Sequence, residues 1–482
     1  MSFRFLLPAA GVIFLGGCMV GPKYKQPAAS VPPAYKELPE TDQWKVAHPN
    51  VEALRSNWWA IFGDPQLNAL EEQVAVSNQN LKVAAARFRQ ARATVRYYRA
   101  GEFPTISVSP GVQDLRLSPN QPYFPSGDAG VSSSGNFLLP FDLSYEVDLW
   151  GRIRRTVSAA REEAQASAGD LATTTLSMQA ELAYDYFELR SADSQQRLLD
   201  ETVKAYTDMV ELTSALFNGG AAPEPDVVQA RTQLDTTRVQ DTDIGVMRAQ
   251  YEHAIAILIG KPPADFAIVP RSKPFEPPAI PAGLPSQLLE RRPDIAAAER
   301  RVAEANDGIG IARAAYFPSL TIGGDVGLQS RHISNLFTWP SRVWAIGPQA
   351  SEIIYDGGRR RAGVEQAQAN YDATVATYRE TTLEAFQQVE DNLAALRILA
   401  QEANQEEQAV EEAQHDVRLF TNLYEGGVDP YLQVVTAQTT LLFNQRNEID
   451  ILRRQMDASV LLIKAISGGW NASQLPPTSS LP

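Results

Sequence analysis

The sequence predicts a mainly α-helical chain with transmembrane β. It reads as two tandem repeats, each giving a β-hairpin, one long helix and two shorter helices. Three observations carry this. Arg152–Asn218 and Arg359–Glu425 are proline-free stretches of equal length, each with a single glycine, Gly169 and Gly363. Each follows a pair of segments in which apolar and polar residues alternate, the period of a strand with two different faces. The whole order then recurs: Phe103-Pro104 returns as Phe317-Pro318, and Gly151, Gly219, Pro223 and Ala230 return as Gly358, Gly426, Pro430 and Ala437.

The chain has 482 residues and a net charge of −14, with no Lys/Arg-dense run, which excludes a nucleic-acid partner. Its one cysteine, Cys18, leaves no intrachain disulfide and no thiolate metal cluster. Cys18 closes a secretory pattern: Arg4, the apolar run Phe5–Leu15, then Leu15-Gly16-Gly17-Cys18. This resembles a bacterial lipobox, with residues 1–17 as signal peptide and Cys18 as the acylated residue; Met19 in place of Asp implies the outer membrane. Several acyl chains on one cysteine anchor a protein stably where one chain is marginal. No run of 18 apolar residues follows, so no helix is expected to span a bilayer.

Residues 18–63 form the lipid-anchored N-terminal segment, Pro-rich from Tyr24 to about Asn57 and expected to be an extended tether. Repeat 1, residues 64–260, starts at Asp64-Pro65, an N-cap followed by Pro at the first helical position. A helix over Gln66–Ala100 leads into a membrane hairpin at 103–150. Ile106, Val108, Pro110 and Val112 share one face of its first strand; Phe137, Leu139, Phe141, Leu143, Tyr145, Val147 and Leu149 share one face of its second. The long helix 152–218 follows, then Gly219-Gly220 and a helix over Asp226–Ile259. A Pro-rich connection, 261–284, carries a short strand at Phe266–Val269. Repeat 2, residues 285–467, restarts with a short helical piece and a helix from Pro293 to about Ala315. Its membrane hairpin is 317–357, with Leu320, Ile322, Val326 and Leu328 on one face; the return strand Val343–Ile354 is interrupted by Glu352. The long helix 359–425, Gly426-Gly427 and a last helix complete it, and 468–482 is a tail.

Gln66–Ala100 and Asp226–Ile259, stacked end to end, match the length of the long helix between them, roughly 100 Å at a 1.5 Å rise per residue. The strands therefore lie at one end of a long shaft and the Gly-Gly turns at the other. Four membrane strands cannot close a barrel, because open edges in lipid leave backbone groups unpaired and the smallest outer-membrane barrels have eight strands. The chain must oligomerise into a tube, a conduit through an outer membrane with a long periplasmic extension. The alternative is a periplasmic lipoprotein adaptor, or a coiled-coil structural lipoprotein without a pore. It shares Cys18 and the 3.5-spaced seams Leu199-Val203-Tyr206-Val210 and Phe386-Val389-Leu393-Leu396, but needs neither amphipathic hairpins nor a full repeat.

The chain resembles the TolC-type outer-membrane factor family, in its lipoprotein branch. The resemblance rests on Leu289-Glu290-Arg291-Arg292-Pro293-Asp294-Ile295, the corners Asp148-Leu149-Trp150-Gly151-Arg152 and Tyr355-Asp356-Gly357-Gly358-Arg359, and the tips Leu216-Phe217-Asn218-Gly219-Gly220 and Leu423-Tyr424-Glu425-Gly426-Gly427-Val428-Asp429. It implies a homotrimer, a twelve-stranded β-barrel continuous with a twelve-helix periplasmic α-barrel, and an equatorial belt. It further implies docking to a periplasmic adaptor and an inner-membrane pump of the RND type, in a tripartite system exporting small molecules such as drugs. Gly219, Gly220, Gly426 and Gly427 fall at the periplasmic tip and adaptor contact, and Asp429 and Tyr424 at the periplasmic gate; Asp-Pro at a helix start equally reads Asp429 as an N-cap. The strand faces place Asp142, Glu146, Asp148 and Asp325 as pore-lining acidic residues. His48, His253, His332 and His415 are scattered and no catalytic or phosphate-binding motif occurs, so no enzyme, cofactor or metal is expected.

Overall fold

The computed structural model describes residues 19–37, 57–116, 134–271, 276–278, 280 and 285–482. Cys18, the signal segment before it and most of the loop expected between the two strands of the first hairpin, residues 117–133, lie outside these residues.

Helices α1 (Pro65–Ser77) and α2 (Gln79–Arg99) lead into strands β1 (Thr105–Val108), β2 (Gly111–Leu115) and β3 (Ser134–Val147). Helix α3 (Arg152–Asn218) has 67 residues and α4 (Glu224–Leu258) has 35. The second repeat runs through α5 (Pro285–Arg291), α6 (Pro293–Ala314), β4 (Ser319–Ser330), β5 (Arg342–Ser351), α7 (Arg359–Glu425) and α8 (Tyr431–Ala465), with α7 again of 67 residues and α8 of 35. The chain is mainly helical, with one antiparallel sheet at one end of the helices.

Three expectations need correction. The helix expected over Gln66–Ala100 is broken at Asn78, whose backbone is extended (φ −60°, ψ 128°). Its Oδ1 accepts from Leu81 N at 3.1 Å, and its Nδ2 donates to Leu258 O, the last carbonyl of α4, at 2.8 Å. The end-to-end stack is therefore α2 on α4, and α1 lies off the joint. The second repeat has the same joint: Arg292, between α5 and α6, donates to Ala465 O, the last carbonyl of α8, at 3.0 Å. One side chain thus satisfies an orphan carbonyl at each helix end, where a buried unpaired group would be costly. The second correction is smaller: Phe266–Val269 forms no strand.

The largest core cluster lies around these joints. Trp58, Trp59, Leu67, Val74, Leu182, Tyr186, Leu189, Ile255, Tyr378, Val389, Val460 and Ile463 are all buried there. Towards the Gly-Gly turns the cores shrink to seams: Leu199 meets Ile244 and Leu442, and Met209 meets Ala230 and Val434. The third correction concerns residues 19–37, which are not a free tether. They strap the helices, with Arg155 donating to Pro22 O at 3.2 Å, Tyr24 bonded to Glu299, Tyr35 in the core and Glu390 accepting from Lys36 N at 2.8 Å.

Candidate functional site

The sheet order is β1-β3-β4-β5, with β2 also on β3, so β1 and β2 are one strand interrupted at 109–110. The register unites the expected apolar faces. Val108, Phe141, Val326 and Trp344 form one cross-strand row, and Leu143 lies between Ile106 and Gly324. Val108, Phe141, Val326 and Trp344 are exposed, as are Ile106 and Ile346. A period of two puts every residue of the row on one side, so an apolar band runs the width of the sheet. β3 has 14 residues, about 46 Å at ~3.3 Å per residue, and a tilt of about 45° reduces that to the thickness of a bilayer core. Aromatic residues flank the band: Trp150 stacked on Phe317 at the helix end, and exposed Phe337 and Trp339 at the other. Such girdles mark membrane interfaces, a signal the sequence reading did not use.

On the opposite face Asp142 is directly across from Asp325, and Glu146 across from Thr321. The four acidic residues expected to line a pore separate into two groups. Glu146 accepts two hydrogen bonds from Arg152, at 3.0 and 2.7 Å. Asp148 lies beyond the strand and accepts from Ile153 N and Arg154 N at 3.1 and 2.9 Å, capping α3, while Arg154 Nε pairs with it at 3.2 Å. These two are bound into the strand-to-helix corner, and only Asp142 and Asp325 face each other across the sheet. The second corner uses Asp356 alike, on Gly358 N and Arg360 N, and Glu352, which broke the strand pattern, pairs with Arg360 just past the last residue of β5. Gly151 (φ 79°) makes the turn left-handed, and Met19 packs so closely over it that a side-chain carbon there would meet Met19 at 2.7 Å. Cys18, the residue before Met19, lies outside the described residues.

At the far end each long helix closes with the same motif. Ala221 N and Gly220 N donate to Leu216 O and Phe217 O, and Val428 N and Gly427 N to Leu423 O and Tyr424 O. This double closure demands a left-handed residue, supplied by Gly220 (φ 73°) and Gly427 (φ 71°); Gly219 and Gly426 are ordinary right-handed positions. Tyr424 is buried, packs on Tyr431 with centroids 5.2 Å apart, and donates its hydroxyl to Asp226 Oδ2 at 3.1 Å. Burial, reinforced by the Asp226 carboxylate, pushes the phenol up to about 12. The bond ties the end of α7 to the first turn of α4, joining the two repeats at their tips, and Asp226 was not foreseen from sequence. Asp429 is half-buried and not the helix cap: Pro430 holds that position, so the cap reading fails. The Asp429 carboxylate has no hydrogen bond or ion pair among the described residues.

An apolar sheet at the end of a helical shaft about 100 Å long, with edges left open, defines the protomer of an outer-membrane channel. The family described as outer membrane efflux protein matches residues 70–261 and 284–468, and the chain belongs to that family. The toluene efflux pump outer membrane protein TtgC of Pseudomonas putida is 32% identical over 476 residues, covering 98% of this chain and 96% of the relative. The "Probable outer membrane lipoprotein SilC" of Salmonella typhimurium is 27% identical over 473 residues, 96% of this chain and 98% of the relative. Among solved structures, the outer-membrane channel OprN superposes with a TM-score of 0.85 at 28% identity, over 94% of this chain and 100% of that one. The open-state MtrE outer membrane channel of Neisseria gonorrhoeae gives 0.81 at 26% identity, over 94% and 99%. The protein is an outer-membrane efflux channel and not an enzyme.

Proposed function

We propose that three copies of this chain close into one duct, a twelve-stranded barrel continuous with a twelve-helix periplasmic tunnel, anchored by acylated Cys18. The duct is the exit of a tripartite system. A periplasmic adaptor docks near the Gly219-Gly220 and Gly426-Gly427 turns, and an RND-type inner-membrane pump drives small apolar compounds such as toluene or antibiotics through it. The observation that carries this is a sheet with a continuous apolar face and two unpaired edges, β1/β2 and β5. Such a sheet is stable in lipid only when closed. Met19, the first described residue, packs at the strand-to-helix corner beside the sheet, which supports the anchor.

The tips are the gate. The Tyr424–Asp226 bond holds α7 against α4 in the resting state, and three unpaired Asp429 carboxylates converge at the mouth, where they repel anions and gather cations. The test is membrane-extracted protein in detergent and in planar bilayers. A heat-dissociable trimer that conducts ions supports the duct; a monomer without conductance supports the adaptor reading instead.

A further inference from the structure

On the reading that the chain is a trimeric duct, we propose that neighbouring copies lock in register through one helix seam. A basic heptad on α2 of one copy pairs with an acidic heptad on α7 of the next. The topology selects these two helices. α2 leads into the β1/β2 edge and α7 leaves the β5 edge, and these are the edges that closure must join.

The seam has a template inside each chain. α6 packs between α3 and α7, whereas among the described residues α3 is the one long helix packed on α2. In the repeat α2 is the counterpart of α6, as the joint residues Asn78 and Arg292 attest, and α7 is the counterpart of α3. The missing partner of α2 is therefore an α7. The α3–α6 contact also supplies the register. Its ion pairs Arg155–Asp307 (2.7 Å) and Glu162–Arg300 (3.0 Å) lie at the levels that correspond to Ala362 with Ala93 and Ala369 with Ala86. Every one of those four alanines is exposed in the single chain.

Around the alanines the charges are complementary. Lys82, Arg89 and Arg96 recur every seven residues beside Ala86, Ala93 and Ala100; Glu365 and Asp372 recur every seven beside Ala362, Ala369 and Ala376. All are exposed. In an antiparallel pair, residues on the same rotational side of each seam meet, as flanking charges do in a coiled coil. The alanine register then sets Arg89 level with Glu365 and Lys82 level with Asp372. Lys82, Arg89 and Asp372 have no ion-pair partner among the described residues, while Glu365 holds Arg361 at 2.9 Å in a pair that stays largely exposed. Arg96 lies past the acidic stripe, level with Arg359. Ions at the centre within a chain, and alanines at the centre with ions on the flank between chains, are two different codes. A one-heptad slip would keep alanine on alanine and pair Arg96 with Glu365 and Arg89 with Asp372, so the register comes from the α3–α6 template and the charges fix which faces meet.

The full-length protein in detergent, with Ala86→Cys and Ala369→Cys introduced together, is oxidised and run in denaturing gel, alongside Ala86→Cys with Ala362→Cys. The first pair is expected to give covalent dimers and trimers and the second to remain monomeric. Lys82→Glu with Arg89→Glu is expected to lower the temperature at which the trimer dissociates, and adding Glu365→Arg with Asp372→Lys to restore it. A trimer by light scattering without the first cross-link overturns the seam and leaves the trimeric duct standing. Equal cross-linking by both pairs overturns the register, and cross-linking to a protein of another mass overturns the second copy as occupant. A monomer by light scattering overturns the duct, and the seam with it.

Discussion

Tyr424 shows what one residue contributes at the Gly426-Gly427 tip. Its phenol donates to Asp226, so removing only the hydroxyl breaks the tie and keeps the ring on Tyr431. Tyr424→Phe is expected to raise the frequency of open events in planar bilayers, and Asp429→Ala to reduce cation preference; unchanged traces from both would remove the tip from gating. A phenol pushed up to about 12 stabilises the folded tip fully below about 10, the ordinary value, and loses that contribution as pH rises through about 12. The link therefore survives any physiological pH. Asp185 behaves differently. Burial, with Glu181 and Glu188 adding repulsion, raises it from 3.8 to about 7. A raised folded-state value gives stability that is complete below about 4 and lost as pH rises through about 7. Asp185→Asn is expected to increase the melting temperature at pH 8 and leave it unchanged at pH 4, as scanning calorimetry at the two pH values can test. Tyr424 is legible in sequence as the aromatic before the tip glycines. Asp226 is not, because its partner lies 198 positions away.

At the scale of elements, the two long helices follow directly from their sequence. Proline-free stretches end at Gly-Gly pairs, and the second glycine of each, Gly220 and Gly427, holds the left-handed turn that ends the helix. The break at Asn78 does not follow: nothing in the local pattern interrupts the helix, and the break exists because Asn78 serves Leu258 O across the joint. Asn78→Ala removes an N-cap bond and a buried bond to a carbonyl, and is expected to destabilise the fold by about 1–3 kcal/mol. Denaturant unfolding of detergent-solubilised protein checks this. The corners are half legible: the sequence gives the charges, and the structure shows Glu146 and Asp148 spending their oxygens on Arg152, Arg154 and the first turn of α3.

At the scale of the whole molecule, each chain is an incomplete object. The sheet has two open edges and the membrane-side half of α2 and of α7 has one bare face, and the same closure satisfies both. The strap from Met19 to Glu37 runs from the strand-to-helix corner to the core around the joints and fastens the N-terminal segment along the shaft. Cys18→Ser is expected to abolish incorporation of labelled palmitate while the trimer still forms, since the strap's contacts begin at Met19; retained label would place acylation elsewhere.

By itself the sequence determined the repeat, the helix and strand periods and the need for closure, because these rest on local pattern and on the cost of unpaired backbone in lipid. Tertiary structure alone decided which carboxylates stay unpaired, where α1 parts from α2, and that the Asp-Pro step at residue 429 is not a cap. The first two depend on a partner brought close only by folding. A carbonyl from another repeat, or an arginine a turn beyond a corner, changes what a side chain does without altering the pattern it is written in.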